Sequence, residues 1–523
     1  MKLVIVGLLV AQLLATCSPP YHRPDTQEPA TYRFEPASSQ LVPAMGELGW
    51  WQVFRDPQLQ SLLRTAVANN ADILVAAQRL QQAEAQYTIV SGEQYPQINA
   101  VLSAQYQQTN GQRPVLSPRS TFAPNGLLTL QYELDFFGKI HSQVAAANAQ
   151  VLQTEFARET VTAAVVSSVA TLYFQLLELD EELDISRKAL AARTASLSLV
   201  RARLEGGIGT LQDVRQAQEL VAQTAAAIPL IQRGLGMTED ALSILLGQYP
   251  GAIGRDLPLN DQIALPDVPA VGLPSELLEQ RPDVRESEEA LIAADAQIGV
   301  ARALLFPQVT ITAAVGAGTA QANGLTLPAI ALPGPGDKTI GPITFPQSNY
   351  GQGYVSILPQ IVQQIFNAGA ARANYAASQA GEEAAVLQYI QSVQQAFGDV
   401  SDDLLSYQKY KENDLAELAN AAAAVDSARL ANLRFEGGVT SYLEVLSSQT
   451  QAYGAQISLA QADLNERLAL VQLYKATGGG WQPEPQRTNT PLLPMAIPHP
   501  TPPQSMPVIQ PTPVMQPTQR QSP

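Results

Sequence analysis

Cysteine is almost absent. Cys17 is the one cysteine in 523 residues, so no disulfide forms within the chain. The three histidines, His22, His141 and His499, are scattered, and no His/Cys/carboxylate cluster has metal-ligand spacing. The Gly-rich stretch GAGTAQANG (316–324) follows an alternating run rather than opening a helix, so it reads as a turn and not as a phosphate loop. These absences argue against an enzyme. Charged residues make up 15 % of the chain, aromatics 6 %, and the net charge is −16. A nucleic-acid partner needs stripes of Lys and Arg, which this balance does not supply. Beyond the N-terminus no segment carries ~18 continuous apolar residues, so any bilayer crossing falls to strands.

The N-terminus reads MKLVIVGLLVAQLLATC. Lys2 precedes an apolar run from Leu3 to Leu14, which is too short to span a bilayer and fits a signal peptide. Its end, LLATC, resembles the bacterial lipoprotein box, Leu-x-x-Cys with small residues before the cysteine; Thr16 stands where Gly or Ala is usual. The resemblance implies removal of residues 1–16 and a covalent lipid on Cys17, with no other cofactor expected. Ser18 rather than Asp follows, which in such lipoproteins implies transport to the outer membrane. An ordinary secretory signal with an incidental cysteine is the alternative.

What the chain does have is repetition. RLEGGIGTLQDVRQAQ (203–218) returns as RFEGGVTSYLEVLSSQ (434–449), 434 − 203 = 231 residues later. DILVAAQRLQQAEAQ (72–86) parallels DVRESEEALIAADAQ (283–297), and YPQI (95–98) parallels FPQV (306–309). FFGKIHSQVAAANAQ (136–150) parallels IFNAGAARANYAASQ (365–379). The offset changes from 283 − 72 = 211 to 366 − 137 = 229, so the second half carries an insertion, the Gly/Pro-rich loop at 324–347. Units this long are duplicated half-domains rather than solenoid repeats.

Each half opens with alternating runs. Ile98, Ala100, Leu102, Ala104 and Tyr106 alternate with Asn99, Ser103 and Gln105, Val101 being the exception. Leu128, Leu130, Tyr132 and Leu134 alternate with Thr129, Gln131 and Glu133. Val309, Ile311, Ala313, Val315 and Ala317 alternate with Thr310, Thr312, Gly316 and Gly318, and a weaker run covers 353–359. Such strands suit a barrel wall with lipid on one side and water on the other, although a half-buried soluble sheet looks the same. Four strands cannot close a barrel, and lipid tolerates no open edge, so membrane crossing requires oligomerisation.

The long segments beat in sevens. Leu176, Leu183, Leu190, Leu197 and Leu204 precede the first Gly pair, and Val214, Val221, Ile228, Leu235 and Leu242 follow it. Heptads of this regularity predict coiled-coil packing, with the Gly pair as the tip of a helical hairpin. Thr210-x-x-Asp213 and Ser441-x-x-Glu444 both read as capping boxes that restart a helix. Pro229 is expected to bend the returning helix.

The order of strand, strand and long hairpin, twice, resembles the outer membrane efflux factor family, the TolC/OprM type of channel-tunnel. RPDVRESEEALIAADAQIGVARALLFPQVTIT (281–312), ELDFFGKI (133–140), RFEGGVTSYLEVL (434–446) and LYKATGGGW (473–481) are similar to its lipoprotein branch, and the likeness covers about 20–481. It implies an α+β membrane protein. Three chains of four strands each would make a twelve-stranded barrel, continued by a long helical coiled-coil barrel through the periplasm of a Gram-negative cell.

The implied function is a passive duct for drugs, detergents or metal ions, served by a periplasmic adaptor and an inner-membrane pump of the resistance–nodulation–division (RND) type. A protein-secretion duct is the alternative within the class, and a purely structural periplasmic coiled-coil lipoprotein lies outside it. The implied organisation is 1–16 signal peptide, 17–55 extended segment, 56–265 first repeat, 266–476 second repeat and 477–523 Pro/Gln-rich tail without periodicity, read as disordered. Strands are expected at about 97–108, 127–135, 308–319 and 352–359, and hairpins at 139–247 and 366–476 with tips near 205–210 and 436–441.

The adaptor would meet the tips at Arg203, Leu204 and Gly207 and at Arg434, Phe435 and Gly438. The pore would narrow at Leu443, Glu444, Ser447 and Asp213. The family commonly has LDVLDAQ-like segments there; YLEVLSSQ keeps an acid at Glu444 and has Ser447 at the usual second aspartate. Glu444 also has a plainer reading, as the helix cap just described.

Overall fold

The computed structural model describes residues 21–26, 29–34, 45–54, 56–108, 120–255, 258–259, 271–272, 274–318, 330–332, 338–340 and 352–482. Cys17, the signal-peptide segment and the tail beyond Gln482 lie outside the described residues. Helices α1 (Trp50–Val53), α2 (Pro57–Asn69) and α3 (Ala71–Ser91) lead into strands β1 (Gln97–Gln108) and β2 (Ser120–Leu134). The first hairpin, α4 (Lys139–Glu205) and α5 (Leu211–Leu245), follows. The second half repeats the order: α6 (Pro274–Gln280), α7 (Pro282–Ala303), β3 (Gln308–Gly318), short β4 (Ile330–Leu332) and β5 (Lys338–Ile340), β6 (Gln352–Val362), and the hairpin of α8 (Ala370–Glu436) and α9 (Tyr442–Ala476).

The two hairpins are equal in length. α4 and α8 have 67 residues each and α5 and α9 have 35. At 1.5 Å per residue the longer arms reach about 100 Å. Left-handed glycines, Gly138 (φ 73°) and Gly369 (φ 88°), stand before α4 and α8, and 369 − 138 = 231, the offset of the tips. This corrects the sequence pairing of Phe137 with Phe366, which is two residues short of that offset. Alanine-rich stretches align about equally well in neighbouring registers, whereas a φ that favours glycine does not. Since β3 follows β1 by 308 − 97 = 211 residues, the extra 231 − 211 = 20 residues lie between the starts of β3 and α8, where β4 pairs with β5.

The sheet runs β1-β2-β3-β6, every neighbour antiparallel. Residues opposite one another in such a pair share a face. The rows Ile98–Leu130–Ala313–Ile357 and Ala100–Leu128–Val315–Val355 therefore gather most of the apolar residues of the four strands on one side, Val101, Leu127, Leu358 and Val362 being exceptions. The row Asn99–Thr129–Ala314–Ser356 lies on the other. The apolar side is open in the single chain: Ile98 is 69 % exposed and Ile357 70 %. β2 begins at Ser120 rather than near 127, because its pairing with β1 continues to Gln108↔Ser120. β1 and β6 form the two edges.

Below the sheet the helices stand side by side. In the upper half α4 packs between α3 and α7, and α8 lies against α7; in the lower half α4 packs between α5 and α9, and α9 against α8. Leu176, Leu183, Leu197, Leu235 and Leu242 of the heptads are buried. Pro229 lies inside an uninterrupted α5, and a Cβ on Gly234 would meet the Leu179 side chain of α4 at 3.4 Å, an ordinary contact, so space there does not demand glycine. α4 holds one window apolar enough to cross a membrane, but 56 % of that window is buried in the chain, as in a core helix.

Polar clasps tie the lead-in segment of each half to its own hairpin. Asp56 caps α2 through the amides of Gln58 and Leu59 and accepts from the Tyr173 hydroxyl of α4 at 2.7 Å. Buried Arg281 holds Asp283 and Asp399 at 2.6 and 2.9 Å and donates to the Ala476 carbonyl. The N-terminal segment crosses α6, α7 and α8: Arg23 binds Glu279 and Glu288, Tyr32 meets the Phe397 ring, and Phe34 accepts from Gln408.

Three acids are half-buried or buried in this layer. Burial and neighbouring Glu182 push Glu178 up to about 7. Burial, with Asp399 and Asp402 nearby, pushes Asp403 up to about 6. Asp463, buried beside Arg467, is also raised to about 6. Each binds its proton more tightly folded than unfolded, so its contribution is present at low pH and is lost as pH rises through these values. Thermal unfolding of the purified protein is expected at a higher midpoint at pH 5.5 than at pH 7.5, and Asp403→Asn with Asp463→Asn should flatten that slope; a midpoint that falls on acidification contradicts it.

The sheet supplies a second test. Ile311 shares the apolar side with Tyr132 and Pro359, whereas Thr310 lies on the other. A lipid-facing arginine costs ~2–4 kcal/mol near mid-bilayer. Ile311→Arg is expected to reduce membrane assembly, measured as heat-modifiable oligomer, well below Thr310→Arg.

Candidate functional site at the hairpin tips

Both tips are built by the same helix stop. In the first, the Ile208 amide donates to the Arg203 carbonyl and Gly207 to that of Leu204, at 2.9 and 3.0 Å. In the second, Val439 donates to Arg434 and Gly438 to Phe435 at the same distances. This is the Schellman pairing, which needs a left-handed residue, and Gly207 (φ 75°) and Gly438 (φ 73°) provide it. No atom lies within 4 Å of where their Cβ would stand, so conformation rather than crowding selects glycine.

The restarts differ. Thr210 and Asp213 form the full reciprocal box, with amide donations of 3.1 and 3.2 Å, so Asp213 is held as a cap. Ser441 makes no side-chain cap bond, which overturns the capping box read at Ser441-x-x-Glu444. The Glu444 carboxylate is taken instead by Arg434 at 2.9 Å and by the Thr440 hydroxyl. Its two oxygens have found partners inside the turn, and the Ser441 amide lies outside that pair.

The repeated arginines also part ways. Arg434 stays within its own tip, whereas Arg203 crosses to the other hairpin. Arg203 donates to the carbonyls of Phe435 and Glu436 at 2.6 and 3.0 Å and lies over the Phe435 ring at 4.1 Å. It thus places a cation on carbonyls at the C-terminal end of α8, one of which, that of Phe435, also accepts from Gly438. Phe435, expected on a docking surface, is instead only 7 % exposed, covered by Arg203 and packed on Tyr442. With Leu197, Val200, Val214 and Val445 it forms a core shared by both hairpins, and Leu204 packs against that core.

The exposed apolar residues are others: Ile208 and Val439 at the two apices, and Leu443 with Leu211 just past them. Ser447 is exposed. Sequence reading missed Ile208, Val439 and Tyr442. The first two are repeat partners immediately after the left-handed glycine, and Tyr442 is a rare aromatic where the first tip has Leu211. A third arginine, Arg193, is buried under the Tyr453 ring and bonds Thr224, joining α4, α5 and α9 above the tips.

An alternating sheet continued by long helical hairpins is the build of an outer-membrane channel with a helical tunnel. The chain belongs to the family described as outer membrane efflux protein, whose profile matches residues 62–248 and 273–479. It is 33 % identical over 495 residues to the toluene efflux pump outer membrane protein TtgC of Pseudomonas putida, covering 92 % of this chain and 96 % of that one. It is 30 % identical to the probable outer membrane lipoprotein SilC of Salmonella typhimurium, with 92 % and 99 % covered. The crystal structure of the open state of the Neisseria gonorrhoeae MtrE outer membrane channel superposes with a TM-score of 0.77 at 27 % identity, covering 89 % of this chain and 99 % of that one. The protein is thus an outer-membrane component of an efflux pump, a passive duct and not an enzyme.

The tip geometry predicts unequal arginines. Arg203→Ala removes charge-assisted bonds to the other hairpin, each of the order of 1.5–3 kcal/mol. Hydrogen exchange should rise across residues 435–442 in Arg203→Ala and change far less in Arg434→Ala; equal effects contradict the division of roles.

Proposed function

We propose that three copies close head to tail into a twelve-stranded barrel and a continuous helical tunnel, the exit duct of a tripartite efflux system. The observation that carries this is a matched pair of open edges. β1 and β6 have no outer neighbour among the described residues, and four alternating strands would leave β6 of one copy antiparallel to β1 of the next. In the lower wall α5 and α8 are likewise outermost, with Leu230, Met237 and Ile244 exposed on α5 and Leu418, Val425 and Leu433 on α8. An interface joining two different edges makes rings rather than pairs. Two copies would give eight strands and a filled interior, so an open pore needs at least three.

The lipid on Cys17 adds an anchor in this reading, as the outer membrane lipoprotein SilC suggests. The adaptor, serving an RND-type pump, would meet the apices around Ile208 and Val439, beside Arg203, Leu204, Gly207, Arg434 and Gly438. The cargo would be toxic organic compounds of the kind named for TtgC.

The gate in this reading is the start of α9, with Leu443 as an apolar ring, Ser447 one turn on and Asp213 on the neighbouring tip. Glu444 is its charged member, and its pairing with Arg434 sets a sign. Both side chains are more than a third exposed, so the pair itself stabilises little. Unpairing either one leaves a ring of single charges. In planar bilayers, purified Glu444→Gln trimers are expected to shift towards anion selectivity and Arg434→Gln trimers towards cations. Monomers in native mass spectrometry would remove the ring, and unchanged selectivity in both variants would remove Glu444 from the gate.

A further inference from the structure

A cavity of about 420 Å³ lies in the upper helical wall, a few residues below the sheet, between α3, α4 and α7. Each helix contributes a row at i, i+4 and i+7, centred on Tyr87, Ala147 and Gln297. Alanine and valine make most of the lining, and Gln86, Gln143, Gln150 and Gln297 supply amides. The lining contains no lysine, arginine or histidine, and its one formal charge is Glu93. The side-chain oxygen of Gln143 is buried in the lining and has no hydrogen-bond partner among the described residues. A buried acceptor left empty costs free energy that a donor would return.

The phase of α7 says which side of the wall the cavity opens on. Glu288 is held by Arg23 and Tyr21 of the N-terminal segment. Gln297 is nine residues further on, about two and a half turns, and so points the opposite way. The N-terminal segment leads back to Cys17, whose lipid would lie in the membrane around the duct, so the face it covers is the outside.

We infer that this cavity is a cargo station inside the duct, taking a small amphiphile that is uncharged or carries a single positive charge, with an apolar body and one hydrogen-bond donor, which the shielded Gln143 oxygen accepts once its side chain turns into the cavity. The inference rests on the ring-shaped duct proposed above. Its volume matches sites for drug-sized ligands. The missing basic residues and the Glu93 carboxylate disfavour anions. Cargo held this weakly is handed on rather than retained, as a passive duct requires.

The test uses two fluorescent probes with the same aromatic amine body and one N–H donor: uncharged N-phenyl-1-naphthylamine and the anionic 8-anilinonaphthalene-1-sulfonate. Purified full-length protein in an amphipathic polymer is expected to bind the uncharged probe saturably and the sulfonate at least about tenfold more weakly. Gln143→Leu, which removes an acceptor that nothing in the described chain uses, should keep or raise thermal stability while weakening the uncharged probe about two- to twelvefold, the worth of one neutral hydrogen bond. Ala147→Trp should abolish saturable binding; if it does not assemble, Gln143→Leu decides alone. Wild-type affinity in the assembled variants, or no saturable binding to the wild type, overturns the inference. Conductance of wild-type trimers reports on the duct separately: conduction without probe binding removes only this station.

Discussion

An unpaired strand edge cannot rest in hydrocarbon, because each free amide and carbonyl there lacks the water that would satisfy it. The design of this chain follows from that cost. Its four strands gather most of their apolar side chains on one side, yet β1 and β6 leave a row of backbone groups open at each end. The same incompleteness continues downward, where α5 and α8 end the lower wall with apolar side chains uncovered. In the proposed assembly a further copy at each edge would complete both sheet and wall, and equal hairpins from the two halves would let one ring run unbroken from strands to tips.

Duplication supplies that regularity, and local departures from it supply mechanism. The two tips share glycines, hydrogen bonds and length, but they do not share electrostatics. Arg203 reaches across to the second hairpin, while Arg434 folds back on Glu444. Replacing Leu204 by its repeat partner Phe435 gives Arg203 a ring to lie on and two carbonyls behind it. One tip therefore acts as the support and the other as the supported element. Asp213 is committed to a helix start, whereas the equivalent Glu444 is left in a partly exposed ion pair with Arg434.

The acids buried at mid-height have a different part. Asp403 and Asp463 sit beside Arg281 and Arg467 in the layer where lead-in segments, hairpins and N-terminal segment meet. Keeping carboxylates there costs stability at neutral pH. Register there is read by Arg281, which binds Asp283 of α7, Asp399 of α8 and the Ala476 carbonyl of α9, so a one-residue slip of α8 or α9 would break one of these bonds.

Much of this was legible from the chain alone, for a physical reason. Alternation in β1 and β3, heptads at Leu176, Leu183 and Leu197, and the Gly pairs at both tips are patterns of period two, three and a half, or a single φ angle, and each is set by neighbours a few residues away. The four strands of the main sheet and its open edges followed from the same local signals, whereas the short pair β4 and β5 lies in the Gly/Pro-rich stretch that reads as a loop. What the sequence left undecided were choices among partners far apart in the chain. Ser441-x-x-Glu444 has the spacing of a capping box, but Arg434 and Thr440 outcompete the Ser441 amide for the carboxylate. Phe435 reads as a tip residue open to a partner, but Arg203, 232 residues away, covers it. The pairing of 137 with 366 looked sound within an alanine-rich register and failed by two residues against the helix caps. Periodicity is a local property and survives in one dimension; which of several competent donors meets a given acceptor depends on packing between hairpins, and only the tertiary structure decides it.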